Sequence, residues 1–569
     1  MTTEPNHNAP ITGQRTYVQR VLHLVRVHHR KIAMGIVLSM MILSISPYHA
    51  INNPNEGVRV AMVKSLVDHQ EWAIDKVLNE WGYINDRAIR EGKNYSSKAP
   101  LTSMIGALTY GVYRTLGGEP LGREALSRLC RMTVLAPVTL YIFFLLAGFL
   151  RRRLKDPYIA DVATFSLFVG SPLLAYVHVF SGHTITALAC LASYILLADR
   201  ERFTERRRFI EAGFWAVFAV CTEYPAALVV LPLWLYGLWE NRHVAVRYLY
   251  LPVIGSIVPL GVTMVAHHYM FGAAWKTGYS FLQNRSFEEL HSEGFFGISA
   301  PKFDVLGTVL FSGGIGLYFY TPLFLVGSLW LVYGLIIKRG AFSRASHLTM
   351  LVAVAFMLMF IAGHKGWRGG WVVGPRYITE VMPFLCLMAA AAMDRFGEQH
   401  RYLARAGMVC LVAVGILHST FASLYFPHIP DRIGNPVYET ILPLVFQGYA
   451  PENLMFLLGG GRSIGFAWVM LGVTLVLVLP MVMHGRDCIR PTVLGISLCL
   501  TLATFLGPNI PSTTKDVAGT QSRRLYGYWR PLEGSPVFQG REKDKIGPRM
   551  LMSVGWTQSA QKKIGEVCQ

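Results

Sequence analysis

Apolar runs long enough to cross a bilayer recur along the chain, separated by short polar connections. A bilayer core about 30 Å thick takes about 20 apolar residues as a helix. Thirteen spans are predicted, at 32–48, 131–150, 158–178, 184–198, 209–222, 226–240, 248–270, 313–336, 348–363, 377–393, 407–425, 465–484 and 492–508. The connection around Glu223-Tyr224-Pro225 is the shortest, and Pro225 marks either a turn or a kink. The pattern predicts an all-α polytopic membrane protein: a transmembrane bundle over 32–508, preceded by a segment 1–31 and followed by a tail 509–569.

The first long connection, 49–130, holds two helical patterns that do not read as spans. In VRVAMVKSLVDHQEW, Val60, Val63 and Val67 share a face while Arg59, Lys64, Asp68 and Glu71 lie elsewhere, which predicts an amphipathic helix lying on the membrane. LTSMIGALTYGVYRTLGG, 101–118, starts after Pro100 and ends in Gly-Gly, and predicts a second interfacial or re-entrant helix.

Basic residues cluster in every second connection: Arg15 to Lys31, Arg151 to Lys155, Arg200 to Arg208, Arg242 and Arg247, Lys338 to Arg344, Arg395 to Arg405, and Arg486 and Arg490. The positive-inside rule puts these in the cytoplasm. The N-terminus is then cytoplasmic, the odd span count places the tail outside, and the loops 49–130, 271–312, 364–376 and 426–464 are extracytoplasmic.

Composition agrees. Of 569 residues, 52% are hydrophobic and 15% charged, against roughly 25% charged in soluble domains. The net charge of +19 would suggest nucleic acid in a soluble protein, but it is spent on topology, and no basic, aromatic-interleaved stripe exists to track a phosphate backbone. The eight cysteines form no CxxC or Cys/His cluster, which points to neither a zinc site nor a disulfide framework. No small-residue cleavage site follows the first apolar run, so a retained helix is expected rather than a removed signal peptide.

The candidate chemistry lies outside. Glu56, in INNPNEGVR, is either the cap of the following helix or a general base against an apolar wall; spacing leaves both open. Lys98, in GKNYSSKAPLTS, is a surface-turn lysine or a cation held at headgroup depth for a lipid phosphate. GHKGWRGGWVVGPRY, 363–377, sets Lys365, Arg368 and Arg376 beside Trp367 and Trp371. Arginines grip phosphate with a fork of donors, and the basic bias of an outer connection should be weak. Glu223 and Glu380 are ionisable groups at span ends, with Glu380 read as an internal pair with Arg376 at i, i+4. His183, His291 and Glu293 line an outer cleft or are plain loop residues. No DxD occurs in the first loop and no His/Asp/Glu cluster shows metal spacing, so no metal is expected, although a divalent ion stays open.

The order Glu56-Gly57-Val58-Arg59, then Glu71-Trp72, then Tyr95-Ser96-Ser97-Lys98-Ala99-Pro100 resembles the first-loop pattern of the GT-C glycosyltransferases. More narrowly, it resembles the branch of protein O-mannosyltransferases and the lipid A aminoarabinose transferase. SGGIGLYFYTPLFL, 312–325, and GGWVVGPRYITEVMPFL, 369–385, are similar to segments of bacterial members. The resemblance implies a GT-C-like bundle in the bacterial inner membrane and an inverting transfer of a sugar from a polyprenyl-phosphate donor to an acceptor hydroxyl of a glycan, lipid or protein. It implies Glu56 as base, where many relatives have Asp, and Lys98, Arg59 and Arg376 or Arg368 as phosphate-binding cations. Independently of the resemblance, Tyr95, Glu223, His183, His291, Glu293, Lys365, Trp367 and Tyr377 are further cleft-lining candidates. The acid that relatives place just before the Lys is replaced by Ser97. No Gly-rich strand-to-helix turn suggests a nucleotide fold. A transporter or flippase would show charges deep in spans and matched broken helices. A polysaccharide ligase or polymerase would carry its major outer loop late, a non-catalytic scaffold has no use for Lys98 and Arg376, and YGYW at 526–529 is not the Trp-Trp-Asp signature of an oligosaccharyltransferase.

Overall fold

The computed structural model describes residues 17–44, 53–248, 250–283, 299–336, 340–425, 427–429, 434–442, 445, 453–459 and 462–505. The expected tail, residues 1–16, His291 and Glu293 lie outside them. Among the described residues the chain is helical apart from one two-stranded antiparallel hairpin.

The helices used below are α1 (Tyr17–Leu43), α2 (Pro54–Lys64), α3 (Asp75–Trp81), α4 (Leu101–Thr115), α5 (the run Arg123–Arg153), α6 (Pro157–Phe168), α7 (Gly182–Ala198), α8 (Glu205–Thr222), α9 (Ala227–Glu240), α10 (Tyr250–Phe271), α11 (Leu323–Tyr333), α12 (Arg344–Gly363), α13 (Met382–Gly415), α14 (Arg462–His484) and α15 (Ile489–Phe505). The strands are β1 (Arg87–Arg90) and β2 (Lys93–Ser96). Among the described residues six helices are long and apolar enough to cross a membrane: Arg123–Arg153, Tyr250–Phe271, Arg344–Gly363, Arg376–Tyr425, Ile464–His484 and Arg486–Thr504.

Within the described residues the thirteen predicted runs fall on helix, with three departures. Runs 377–393 and 407–425 join into one long helix, kinked at His400 (φ −129°, ψ 53°). Run 158–178 breaks at 169–172, where Gly170, Ser171 and Pro172 stop α6. Run 313–336 breaks ahead of Pro322. The two breaks face one another. Thr321 Oγ1 donates to the Gly170 carbonyl at 3.3 Å, Ser419 Oγ to that of Tyr320 at 2.8 Å, and Thr420 Oγ1 to that of Val169. Backbone groups freed inside an apolar bundle need such partners.

α13 runs through the centre. It is buried on every face from Met382 to Ala392 and packs against α6, α11 and α15. A helix apolar all round belongs inside, and α7 does the same beside it. α8 and α10 cross at backbone contact: a Cβ on Gly213 would sit 2.2 Å from the Pro252 carbonyl oxygen, and one on Gly255 would sit 2.0 Å from that of Ile210.

The first loop folds differently from expectation. α2 does not lie on the membrane with one face exposed; it is buried along its whole length from Asn55 to Lys64. α4 and α5 cover it, and Asp68 ties its end down by accepting from Lys64 (2.9 Å) and Tyr110 (2.8 Å). α4 keeps an interfacial character: Leu108, Val112 and Leu116 are 71%, 59% and 83% exposed along one stripe. The hairpin was not anticipated. It turns through Glu91 and Gly92, both at positive φ (52° and 76°), and delivers β2 directly to the Lys98 turn.

Candidate active site

Asn53 starts the site. Its side chain caps α2 by accepting from the Asn55 and Glu56 amides, and Pro54 occupies the first turn where no N–H is needed. The cap fixes Asn55, which accepts from Arg59 Nε one turn later at 3.0 Å. The Arg59 guanidinium then reaches two distant segments: the Ala99 carbonyl at 3.0 Å and Glu223 Oε1 at 2.7 Å. Arg59, 0% exposed, therefore clamps α2, the Lys98 turn and the α8–α9 junction together.

Glu223 stands at that junction because Pro225 prevents α8 from continuing, and its own backbone is extended. Gly182 makes room for it: a Cβ there would lie 2.5 Å from Glu223 Oε1 and from the Thr222 carbonyl oxygen. The next residue, His183, is buried, with Nε2 4.0 Å from Glu223 Oε1 and Nδ1 3.6 Å from Glu380 Oε1. The expected Glu380–Arg376 pair does not form. Residues 376–381 make a tighter 3₁₀ turn, and Glu380 faces His183 instead.

Lys98 is 11% exposed at its side chain. Its Nζ meets Asp86 Oδ2 at 2.8 Å and sits 5.4 Å above the Tyr279 ring. Burial lowers the Lys98 pKa, but Asp86, followed by Tyr279, outweighs it and raises the ammonium above the ordinary lysine value. Asp86 holds a left-handed backbone (φ 70°), and Ser97 Oγ donates to its carbonyl at 2.6 Å and to Oδ1 at 3.2 Å. Gly278 passes so close that a Cβ would lie 2.6 Å from Ser97 Cα, which is how Tyr279 comes to cover Lys98.

Arg376 closes the far side. Its Nη2 donates weakly to the Tyr377 hydroxyl at 3.5 Å, and its Nε has no hydrogen-bond partner among the described residues. Tyr377 packs edge-on against His183 with ring centres 6.1 Å apart, and the fields of Glu223 and Tyr377 both reach Arg376. Lys98, Arg59, Glu223, His183, Glu380, Arg376 and Tyr377 thus form one cluster. Among the described residues, no group of three or more His, Cys, Asp or Glu side chains is arranged to hold a metal ion.

Other expected residues lie elsewhere. Tyr95 packs into a small apolar core with Val58, Ala61 and Phe271, away from the cleft. Lys365 is exposed, Trp367 packs on the bundle core, and Arg368 lies near Tyr320. Glu56 is the largest departure. It is 0% exposed, and four donors fill its oxygens: Arg131 Nε at 2.7 Å, Arg131 Nη2 at 2.6 Å, Ser127 Oγ at 2.6 Å and the Phe180 amide at 2.8 Å. Burial pushes its pKa up, but Arg131, with the hydrogen bonds, pulls the carboxyl below the ordinary glutamate value. This is the geometry of a structural ion pair, not of a base open to an acceptor. Asp86, Arg131 and Tyr279 were missed. Asp86 and Tyr279 reach Lys98 and Arg131 reaches Glu56, each from a different part of the chain, and no local pattern marks them.

No protein-family model matches the chain, and no curated protein matches it. Solved structures do. The fold is similar to that of ArnT from Cupriavidus metallidurans bound to undecaprenyl phosphate, at 17% identity over 84% of this chain and 81% of that one, with a TM-score of 0.45. It is similar to the arabinosyltransferase EmbB from Mycobacterium smegmatis, at 14% identity over 83% of this chain and 40% of that one (TM-score 0.43). The Archaeoglobus fulgidus oligosaccharyltransferase aligns over 74% of this chain and 58% of its own at 10% identity, with a TM-score of 0.43.

Proposed function

We propose that this chain is an inverting glycosyltransferase. It moves a sugar from a polyprenyl-phosphate donor to an acceptor hydroxyl of a glycan, lipid or protein on the outer side of the bacterial cytoplasmic membrane. The observation that carries this reading is one buried cluster in which Arg59 pairs with Glu223, Lys98 pairs with Asp86, and Arg376 lies in the field of Glu223. A lipid-phosphate sugar brings its own leaving group, so it asks the protein for cations and a base rather than for a nucleotide fold.

Glu223 takes the role of base in place of Glu56. Arg59 holds one of its oxygens and fixes its direction. It accepts the acceptor hydroxyl proton while the oxygen attacks the anomeric carbon on the side opposite the phosphate, as in single-displacement glycoside chemistry. Lys98 has three donors, of which Asp86 takes one, and Arg376 has its Nε to spare. Both then stabilise the charge that builds on the departing polyprenyl phosphate.

The test uses the full chain in sealed proteoliposomes with undecaprenyl-phosphate mannose, glucose and arabinose as donors and an extract of bacterial envelope glycans, lipids and proteins as the source of acceptor hydroxyls. Release of undecaprenyl phosphate supports a transferase, whereas movement of the lipid between leaflets without release supports a flippase. Glu223→Gln should lower kcat roughly 10²–10⁴-fold. Near-normal turnover in that variant removes Glu223 from the mechanism.

A further inference from the structure

Cations that stabilise a departing phosphate also hold it once it has left. The donor phosphate is a diester with one negative charge. Without its sugar it is a monoester, and above a second pKa near 6 it carries about two. Lys98 and Arg376 by themselves would therefore hold the product more tightly than the donor, and slow release limits turnover. Resting on the transferase reading above, we infer that Asp86 is a specificity-determining residue, which sets the singly charged donor ahead of the doubly charged product.

The placement of Asp86 carries this. Its Oδ2 lies 2.8 Å from Lys98 Nζ, so a phosphate that takes the other donors of that ammonium stands beside a carboxylate. Both side chains are 11% exposed, where charges act on one another more strongly than in open water. The carboxylate is held there. Asp86 has the left-handed backbone that Asp and Asn tolerate (φ 70°), and buried Ser97 donates to its carbonyl at 2.6 Å and to its Oδ1 at 3.2 Å. Among the described residues, Asp86 is the one carboxylate at ion-pair distance from Lys98. The other two acids of the cluster are engaged elsewhere: Glu223 with Arg59, and Glu380 facing His183. The cluster sets the cations Lys98, Arg59 and Arg376 against the acids Asp86, Glu223 and Glu380. Taking the charge from Asp86 turns this even balance into a positive surplus beside Lys98, and a surplus favours a dianion over a monoanion. A salt bridge that only fastened the turn would act on both lipids alike.

The test measures binding rather than turnover. The full chain in detergent micelles at about pH 8, above the second phosphate pKa, is titrated with undecaprenyl phosphate and, separately, with its methyl ester, which carries one charge. Native mass spectrometry reads the bound fraction. The unaltered chain should bind the methyl ester at least as tightly as undecaprenyl phosphate. Asp86→Asn keeps the shape, the acceptor for Ser97 and the left-handed backbone. It should shift the ratio of affinities toward undecaprenyl phosphate by roughly tenfold. Glu91→Gln, on the same hairpin but 74% exposed at its side chain, should leave the ratio alone. An unchanged ratio in Asp86→Asn, or an equal shift in Glu91→Gln, overturns the role of Asp86 and leaves the transferase reading standing. So does an unaltered chain that already prefers undecaprenyl phosphate, which decides the matter even if Asp86→Asn does not fold. Binding of neither lipid by the unaltered chain overturns both.

Discussion

Glu56 and Glu223 are both buried glutamates beside an arginine, and they differ in how fully they are held. Glu56 is enclosed by four donors, while Arg59 holds Glu223 through a single oxygen. Removing Glu56 strands Arg131, itself 2% exposed, without a counter-ion. Glu56→Ala should therefore cost about 3–5 kcal/mol of stability, read as a lowered unfolding temperature in detergent; normal stability with lost turnover would return Glu56 to the role of base. The sign of the pH dependence follows. Glu56 titrates below its ordinary 4.5 in the folded chain, so its contribution is complete above 4.5 and lost as the pH falls through the lower folded value. Lys98 titrates above its ordinary 10.5, so its contribution is complete below 10.5 and lost as the pH rises through the higher folded value. Unfolding temperatures across both windows check this, and Glu56→Gln should flatten the acid limb. At this scale the sequence pointed to Glu56, Arg59 and Lys98 but not to their partners. Arg131 is 75 residues from Glu56, and Glu223 is 164 from Arg59; periodicity reports neighbours along a helix, not across the fold. The vacancy at Ser97 shows the same limit. The acid beside Lys98 is there, but it comes from Asp86, to which Ser97 donates.

Elements place these side chains through close backbone approach. Gly182 lets the start of α7 touch Glu223, and a methyl group there would collide with both Glu223 and the Thr222 carbonyl. Gly182→Ala should displace Glu223 from Arg59 and reduce kcat by about 10²-fold, the cost of a misplacement near 1 Å, while binding of undecaprenyl phosphate persists. Equal loss of binding and turnover would count against this account. The long helices were legible because apolar runs dominate their composition. The breaks at 169–172 and ahead of Pro322 were not, because the apolar character continues across them while Gly170, Ser171, Pro172 and Pro322 stop the helix. The hairpin was missed because RAIR and KNYS are short and polar, with no alternation to announce a strand.

At the scale of the whole molecule, the first loop is a folded cap whose α2 is interior and whose α4 meets the surroundings. Its exposed apolar stripe of Leu108, Val112 and Leu116 fits a membrane surface. A tryptophan at Val112 should be quenched by brominated lipid in nanodiscs, and one at exposed Lys93 should not; equal quenching would remove α4 from the membrane surface. Sequence periodicity located both helices of the cap but not which was interior, because burial on every face depends on α5, which arrives later in the chain. The Arg59 clamp has a consequence for biosynthesis. Its last partner, Glu223, lies 164 residues downstream, so at 5–20 residues per second the ribosome needs on the order of ten to thirty seconds to supply it. Until then the nascent chain holds the Lys98 turn without the Arg59–Glu223 pair that fastens it to the α8–α9 junction, and the cluster around Lys98 is incomplete.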